Sequence, residues 1–353
     1  MNEAQRETAT LLADQLERLL DVYASHNLSL LPEPEAFPDA LWHTLSELGL
    51  PLSMVAESRG GAGLNWEQIE PILRISGRCP APLPIAESLI GNYLLDEAGL
   101  AEAISAPLAI SDQWLSLDSA QRLDGELDYV EWLPHADYLL ALAHGPTQDY
   151  LCLIPREQLT NTPVLSLART PAARVRLHQA QPTALLPVPG RLAMTGLRPF
   201  LALARAVQSA GAIQALVPLC VEYANVRKQF GKPIGKFQAV QHLIADLVSQ
   251  AAAAQAAGQF GCRLADSGKS LYGAAVAKAR SGSCGSRAGE IAHQVFGAIG
   301  VTEEHCLHHY TRRLWQWRAD YGSEHAWGEW LGTLALRQGG DQLWALVCEQ
   351  YPD

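Results

Sequence analysis

Arg227 stands where a run of helical periodicity stops, just before Gln229, Phe230 and Gly231, in the segment YANVRKQFGKPIGKFQAVQHLIAD (223–246). A cation at a helix C-terminus is favoured by the negative end of the helix dipole. On spacing alone Arg227 is therefore either a capping surface residue or a local basic group for an anionic small ligand. A second segment, HQVFGAIGVTEE (293–304), places Gln294 beside the small residues Gly297, Ala298 and Gly300. Small residues let a backbone approach a ligand closely, although a glycine here also suits an ordinary helix end.

These groups need elements to hold them. Residues 1–105 read as helical. Leu11, Leu12, Leu16, Leu19 and Leu20 recur at helical spacing, as do the apolar residues of 39–50, 66–75 and 86–98. Pro32, Pro34 and Pro38 break the first connection, and Gly60, Gly61 and Gly63 form a loop. Between 106 and 190 the texture changes to short apolar runs (107–110, 129–132, 138–143, 150–154, 164–167, 173–177, 184–188) punctuated by Pro, Asp-Gly and Gly-Pro, the pattern of β-strands. From Arg198 helical periodicity returns. One helix covers 199–229, with a kink or break expected at Pro218. A second runs from near Lys236 toward Asp266, a third over 272–296 and a last one over 327–348. The expected class is α+β, mainly α, with domains at 1–105 (helical), 106–190 (a small β-domain) and 191–353 (a helical bundle).

Composition narrows the function classes. Of the 353 residues 48% are hydrophobic and 18% charged, enough apolar material for a large core and against disorder. The formal net charge of −11 disfavours nucleic acid and anionic membrane as partners. Seven scattered cysteines (79, 152, 220, 262, 284, 306, 348) contain no CxxC pair. Neither a zinc site nor a disulfide framework is indicated, and reduced thiols in a cytosolic protein are the simplest reading. The acidic amphipathic start lacks the features of a signal peptide, and no stretch stands out as a membrane span.

The 223–246 segment closely resembles the RKQFGKPI-x-x-FQAVQ signature of the acyl-CoA dehydrogenases, and 293–304 resembles that family's VQIFGGxGYTxE. Thr302, Glu304, Tyr310 and Arg312 follow at family spacing, and GLP…ESRGGAGL (49–64) matches a further family loop. The resemblance implies that family's fold: an N-terminal helical domain, a middle β-domain and a C-terminal four-helix bundle. It implies FAD as cofactor, an acyl-CoA as substrate and an electron-transferring flavoprotein as acceptor. It also implies that Arg227, Gln229 and Phe230 reach across a subunit interface to a neighbour's FAD. There a planar guanidinium pairs two pyrophosphate oxygens at once. Gln238 maps near the adenosine end, and Gln294 with Gly297 and Ala298 maps onto further contacts to the neighbour's cofactor.

The other half of the family's site departs from the pattern. The ALTEPxAGSD-type segment is replaced by PLAISDQWLSLDSAQRLDG (107–125), and the hydroxyl expected just after Trp132 is absent from Leu133-Pro134-His135. Trp132 is then a flavin neighbour or a core residue. Oxidation of an acyl-CoA needs a carboxylate beside the α-carbon, its pKa raised by burial. The family's Tyr-Glu-Gly-Thr maps onto Asp320-Tyr321-Gly322-Ser323, so Tyr321 replaces the usual Glu while Gly322 and Ser323 fit. The alternative family position for the base maps onto Leu201, beside Phe200. Asp320 and Glu324 are weak substitutes, or else solvated or helix-capping carboxylates. Trp315, Trp317, Trp327 and Trp330 line a pocket or pack in a core or interface.

Three functions remain open: a subunit that completes the FAD site of a paralogous acyl-CoA dehydrogenase chain, a self-sufficient homo-oligomeric dehydrogenase with a displaced base, and a non-catalytic scaffold. The first fits best, because the residues kept are those that serve a neighbour.

Overall fold

The computed structural model describes residues 3–27 and 37–348. Pro32 and Pro34, expected to break the first connection, lie outside the described residues. The chain divides into two compact units, one of residues 1–22, 30–72 and 81–201, the other of 23–29, 73–80 and 202–353.

In the first unit, the part of α1 (Glu3–Asn27) up to Val22 buries Ala9, Ala13, Leu16 and Leu20 on one stripe. Leu11 lies off that stripe and is exposed, contrary to the expected leucine face. α2 (Asp39–Glu47) and the start of α3 (Trp66–Arg78) come next. α4 (Ile85–Glu97) is buried on nearly every side, as an apolar helix without a polar face must be. Two of its buried polar residues, Ser88 and Asn92, are matched. Asn92 donates to the Ile104 carbonyl at 2.8 Å and accepts from the Ile104 amide at 2.9 Å. The Ser88 hydroxyl accepts from the Leu108 amide at 3.1 Å, tying α4 to the first strand.

That strand opens a seven-stranded sheet: β1 (Leu108–Leu117), β2 (Leu123–Glu131), β3 (Tyr138–His144), β4 (Asp149–Pro155), β5 (Thr160–Leu165), β6 (Pro171–Ala180) and β7 (Ala184–Pro187), in the order β5-β6-β2-β1-β3-β4-β7. β1 and β3 pair in parallel and every other pair is antiparallel. β3 is buried on both faces from Leu139 to Ala143, the burial expected of a central strand in a parallel pair. β6 instead alternates, with Ala173, Val175 and Leu177 inward and Arg174, Arg176 and His178 outward. Each expected apolar run marks a strand, but β1, β2 and β6 extend well past their runs into polar residues.

The remaining elements are α5 (Gly190–Thr195), α6 (Arg198–Val226), β8 (Lys228–Gln229), β9 (Lys232–Pro233), α7 (Gln238–Asp266), α8 (Ser270–Phe296), α9 (Leu307–Ala319), α10 (Glu324–Gln338) and α11 (Leu343–Cys348). In the second unit α6, α7, α8 and α9 share one core, including Leu216, Leu247, Ala254, Ala288, Ile291 and Leu314. Glycines make the close crossings. A Cβ on Gly211 of α6 would lie 1.9 Å from the Arg74 carbonyl oxygen, and one on Gly77 would lie 2.0 Å from the Gln208 carbonyl oxygen. Gly282, Gly285 and Gly289 of α8 face Glu324, Leu314 and Trp315.

Several expectations for these helices need correction. α6 runs through Pro218 without a break, because packing of a largely buried helix outweighs one lost backbone donor. α6 also has the length and apolarity of a membrane-crossing helix, but 89% of its most apolar window is buried within the fold. The expected last helix is two, α10 starting earlier at Glu324 and ending at Gln338, just before Gly339, whose φ of 86° suits glycine. α9 is a separate helix that periodicity does not single out.

Candidate functional site

α6 ends at Val226, and Arg227 is the first residue beyond it, its amide bonded to the Tyr223 carbonyl at 2.8 Å. The chain then reverses in the β8–β9 hairpin, where Lys228 pairs with Pro233 and Gln229 with Lys232. Phe230 and Gly231 form the turn at φ 50° and 79°, the left-handed pair that a two-residue hairpin demands. Phe230 is 93% exposed, its ring edge-on to Phe237 at 6.1 Å. Lys232 lies 4.4 Å from the Phe237 ring centre. Gln238 opens α7 and is exposed. The Arg227 side chain is exposed and has no side-chain partner among the described residues.

The second motif ends α8. Gln294 is exposed on the last turn, Gly297 terminates the helix at φ 62°, and Ala298 is exposed in the following 3-10 turn. Burial lowers the pKa of nearby His293. The two motifs meet at the same end of the bundle. Tyr223 of α6 stacks on Phe296 of α8 at 4.4 Å, and Phe296 packs on His305 at 4.5 Å. Arg227, Gln229, Phe230, Gln238, Gln294, Gly297 and Ala298 therefore all lie exposed on segments pinned together through Tyr223 and Phe296. That stack between the motifs is not legible in the sequence, since nothing in spacing pairs two aromatics so far apart.

Trp132 closes β2 in the first unit. It is buried, sits at φ 67°, and its indole Nε1–H has no acceptor among the described residues. Its amide donates to the Pro171 carbonyl at 2.6 Å. A non-glycine residue in this region of backbone space is strained, and surrounding structure must hold it there. Beside it, buried Glu131 accepts from Thr170 Oγ1 at 2.6 Å. Phe200 and Leu201 are buried, and Phe200 packs against Trp66 and Tyr93 at 6.0 and 6.1 Å. Neither of these apolar groups accepts a proton.

The turn between α9 and α10 holds the remaining candidates. Tyr321 and Gly322 take φ 55° and 102°. The Trp327 indole donates to the Tyr321 carbonyl at 3.0 Å. The Ser323 hydroxyl caps α10, accepting from the Ala326 amide at 3.3 Å. Asp320 is neither solvated nor a cap. Its side chain is 8% exposed, pairs with Arg205 of α6 at 3.5 Å and accepts from Gln316 at 2.6 Å. Glu324 receives the Arg318 guanidinium at 2.7 and 2.8 Å, and this hydrogen-bonded cation lowers its pKa. Lys278 of α8 is fully buried and donates to the carbonyls of Arg318 and Gly322 at 2.9 and 2.7 Å. Burial pushes its pKa down to about 8. Both weak base candidates are thus engaged by cations. Of the four tryptophans, Trp317 and Trp327 are core residues, Trp330 is half-buried and Trp315 is exposed. Arg205 and Lys278 are functional-site neighbours that sequence reasoning misses. The available signal is a cation set among apolar residues in each of two helical stretches, ALARAVQ and AAVAKA.

Six described cysteines are free thiols. Among the described residues no group of His, Cys, Asp and Glu is arranged to hold a metal ion.

The sequence profile of the acyl-CoA dehydrogenase C-terminal domain matches residues 191–317. The chain is 31% identical over 279 residues to acyl-CoA dehydrogenase IpdE2 of Mycobacterium tuberculosis, covering 78% of this chain and 80% of that one. It is 30% identical over 312 residues to acyl-CoA dehydrogenase FadE34 of the same organism, covering 84% of this chain but only 42% of that longer protein. Among solved structures, a chain of the ChsE4-ChsE5 complex from Mycobacterium tuberculosis superposes with a TM-score of 0.84 at 21% identity, covering 96% of this chain and 98% of that one. With its arrangement of helices and sheet and its two motifs at one end of the bundle, this chain belongs to the acyl-CoA dehydrogenase family.

Proposed function

We propose that this chain is the subunit of a heteromeric, FAD-dependent acyl-CoA dehydrogenase that completes the flavin site of a paralogous partner and does not itself abstract the substrate proton. The observation that carries the reading is a contrast within the second unit. The residues that would serve a neighbour are exposed and grouped, whereas the position of the chain's own base holds Tyr321 amid engaged ions. The similarity in fold to a chain of a two-protein complex supports the same reading.

The donor set suits FAD. The unpartnered Arg227 guanidinium offers a planar fork to a pyrophosphate. Gln229, Gln238 and Gln294 offer amides, and the Gly297–Ala298 backbone offers close approach. Phe230 supplies an exposed aromatic face. When bound, FAD accepts the hydride that leaves the acyl chain. The carboxylate that takes the α-proton belongs to the partner. In this chain's own first unit, Trp132 retains a buried N–H donor, but the hydroxyl and glycine-rich contacts of the family's ring-binding segment are missing.

On this reading the segments 1–105, 106–190 and 191–353 correspond to the family's three domains. An acyl-CoA is the substrate and an electron-transferring flavoprotein takes the electrons. The assembly works in the cytoplasm, consistent with free thiols. The test is co-expression with the paralogous subunit. Arg227→Ala in this chain lowers the FAD retained by the purified assembly. Unchanged retention would count against the placement of Arg227.

A further inference from the structure

Arg205 sits in the buried part of α6, and its side chain is 3% exposed. Nη1 donates to Gln208 Oε1 at 2.6 Å, and Gln208 Nε2 donates to Ser76 Oγ at 3.2 Å. Its Cζ lies 5.8 Å from the ring centres of both Trp317 and Tyr321, within cation–π range. Gln208, Arg205, Asp320 and Gln316 form one polar chain through the core of the second unit. The other charges around this turn come from three helices. Lys278 lies on α8, Arg318 on α9 and Glu324 on α10, while Arg313 of α9 turns instead to the Trp317 ring and the carbonyls of Cys79 and Pro80. Arg205, Lys278 and Arg318 thus lie around two carboxylates, both already paired. An α-proton acceptor needs the reverse, a carboxyl whose charged form is disfavoured by burial. A cation within about 4–6 Å lowers a carboxyl pKa by about 1–3 units.

We propose that Arg205 is a positioning residue that withholds a proton-accepting carboxylate from the 318–324 turn, keeping Asp320, and any carboxylate placed at 321, ionised and engaged. Loss of the base in this chain is then a property of the turn's surroundings and not of Tyr321 alone. The inference rests on the reading of this chain as the non-abstracting subunit. Its test needs neither flavin nor partner, so either can fail without the other.

The experiment is a carboxyl-carbon NMR titration of the full chain labelled in Asp and Glu. In Tyr321→Glu, the midpoint of the introduced carboxyl falls below about 4.3, the ordinary Glu value. In Tyr321→Glu/Arg205→Met/Asp320→Asn, where burial remains and the ion pair is gone, it rises by at least about one unit. A midpoint above about 4.3 with Arg205 present, or no change on removing the pair, overturns the proposal. Asp320 is read in the unaltered chain, which needs no variant to fold. There a midpoint below about 3.9 supports the proposal and one at or above it overturns it.

Discussion

Arg205 and Asp320 face each other at 3.5 Å across the core of the second unit, their side chains 3% and 8% exposed. One comes from the apolar helix α6 and the other from the turn between α9 and α10. The pair ties α6 to that turn and keeps a buried carboxylate occupied beside Tyr321.

Breaking one side of a buried pair leaves an uncompensated charge, which costs about 3–5 kcal/mol. Arg205→Met should therefore lower unfolding stability by about that much in urea titrations. Replacing both, as Arg205→Met/Asp320→Leu, should cost clearly less than the single change. Equal losses in the two variants would mean that the pair is not electrostatically coupled.

Lys278 gives a pH signature. Its folded pKa of about 8 lies below the ordinary lysine value of 10.5 because burial disfavours the charged form. Below pH 8 the lysine is charged in both states and the full desolvation cost bears on the fold. Between about pH 8 and 10.5 the unfolded chain binds more protons, so this group's contribution to stability rises with pH, by on the order of 3 kcal/mol across the window. Comparing wild type with Lys278→Met by urea denaturation from pH 7 to 10.5 isolates the effect. The difference between them should shift toward the wild type as pH rises, and a flat difference would contradict the burial account.

Gly211 tests the helix crossing. Alanine is the better helix former by about 1 kcal/mol, so propensity alone predicts stabilisation. The added Cβ would instead meet a backbone oxygen of Arg74 at 1.9 Å, which cannot move aside like a side-chain tip. Gly211→Ala should lose about 1–3 kcal/mol or more, the scale of overpacking a rigid contact. A rise in the melting temperature would show that α3 and α6 do not cross this closely.

Arg227 separates binding from folding. The side chain is exposed and unpartnered among the described residues, so Arg227→Ala should change chain stability by no more than about 0.5 kcal/mol. In the assembly the same change should lower the flavin-to-protein absorbance ratio. A parallel loss of stability in the isolated chain would point to a structural role instead.

Features set by local periodicity and turn chemistry are legible in the sequence. The helix end at Gly297 and the short strands of 106–190 carry local signals, and each marks a real element, whereas α6 stops at Val226, short of the expected 229, and the hairpin turn at Phe230-Gly231 is not read from the sequence. Features that depend on contacts between distant segments stay hidden. Pro218 signals a break, yet burial of α6 overrides it. Asp320 is locally indistinguishable from a capping carboxylate, and only the position of Arg205, more than a hundred residues earlier, makes it half of a buried pair. The stack of Tyr223 on Phe296 is equally invisible, although it unites the two motifs.

The flavin content of the purified chain, alone and with its co-expressed paralogue, addresses the central claim directly. The account predicts a colourless chain in isolation and flavin retained only by the assembly, in a site to which this polypeptide lends Arg227. A chain that purifies yellow by itself and bleaches when an acyl-CoA is added would contradict it.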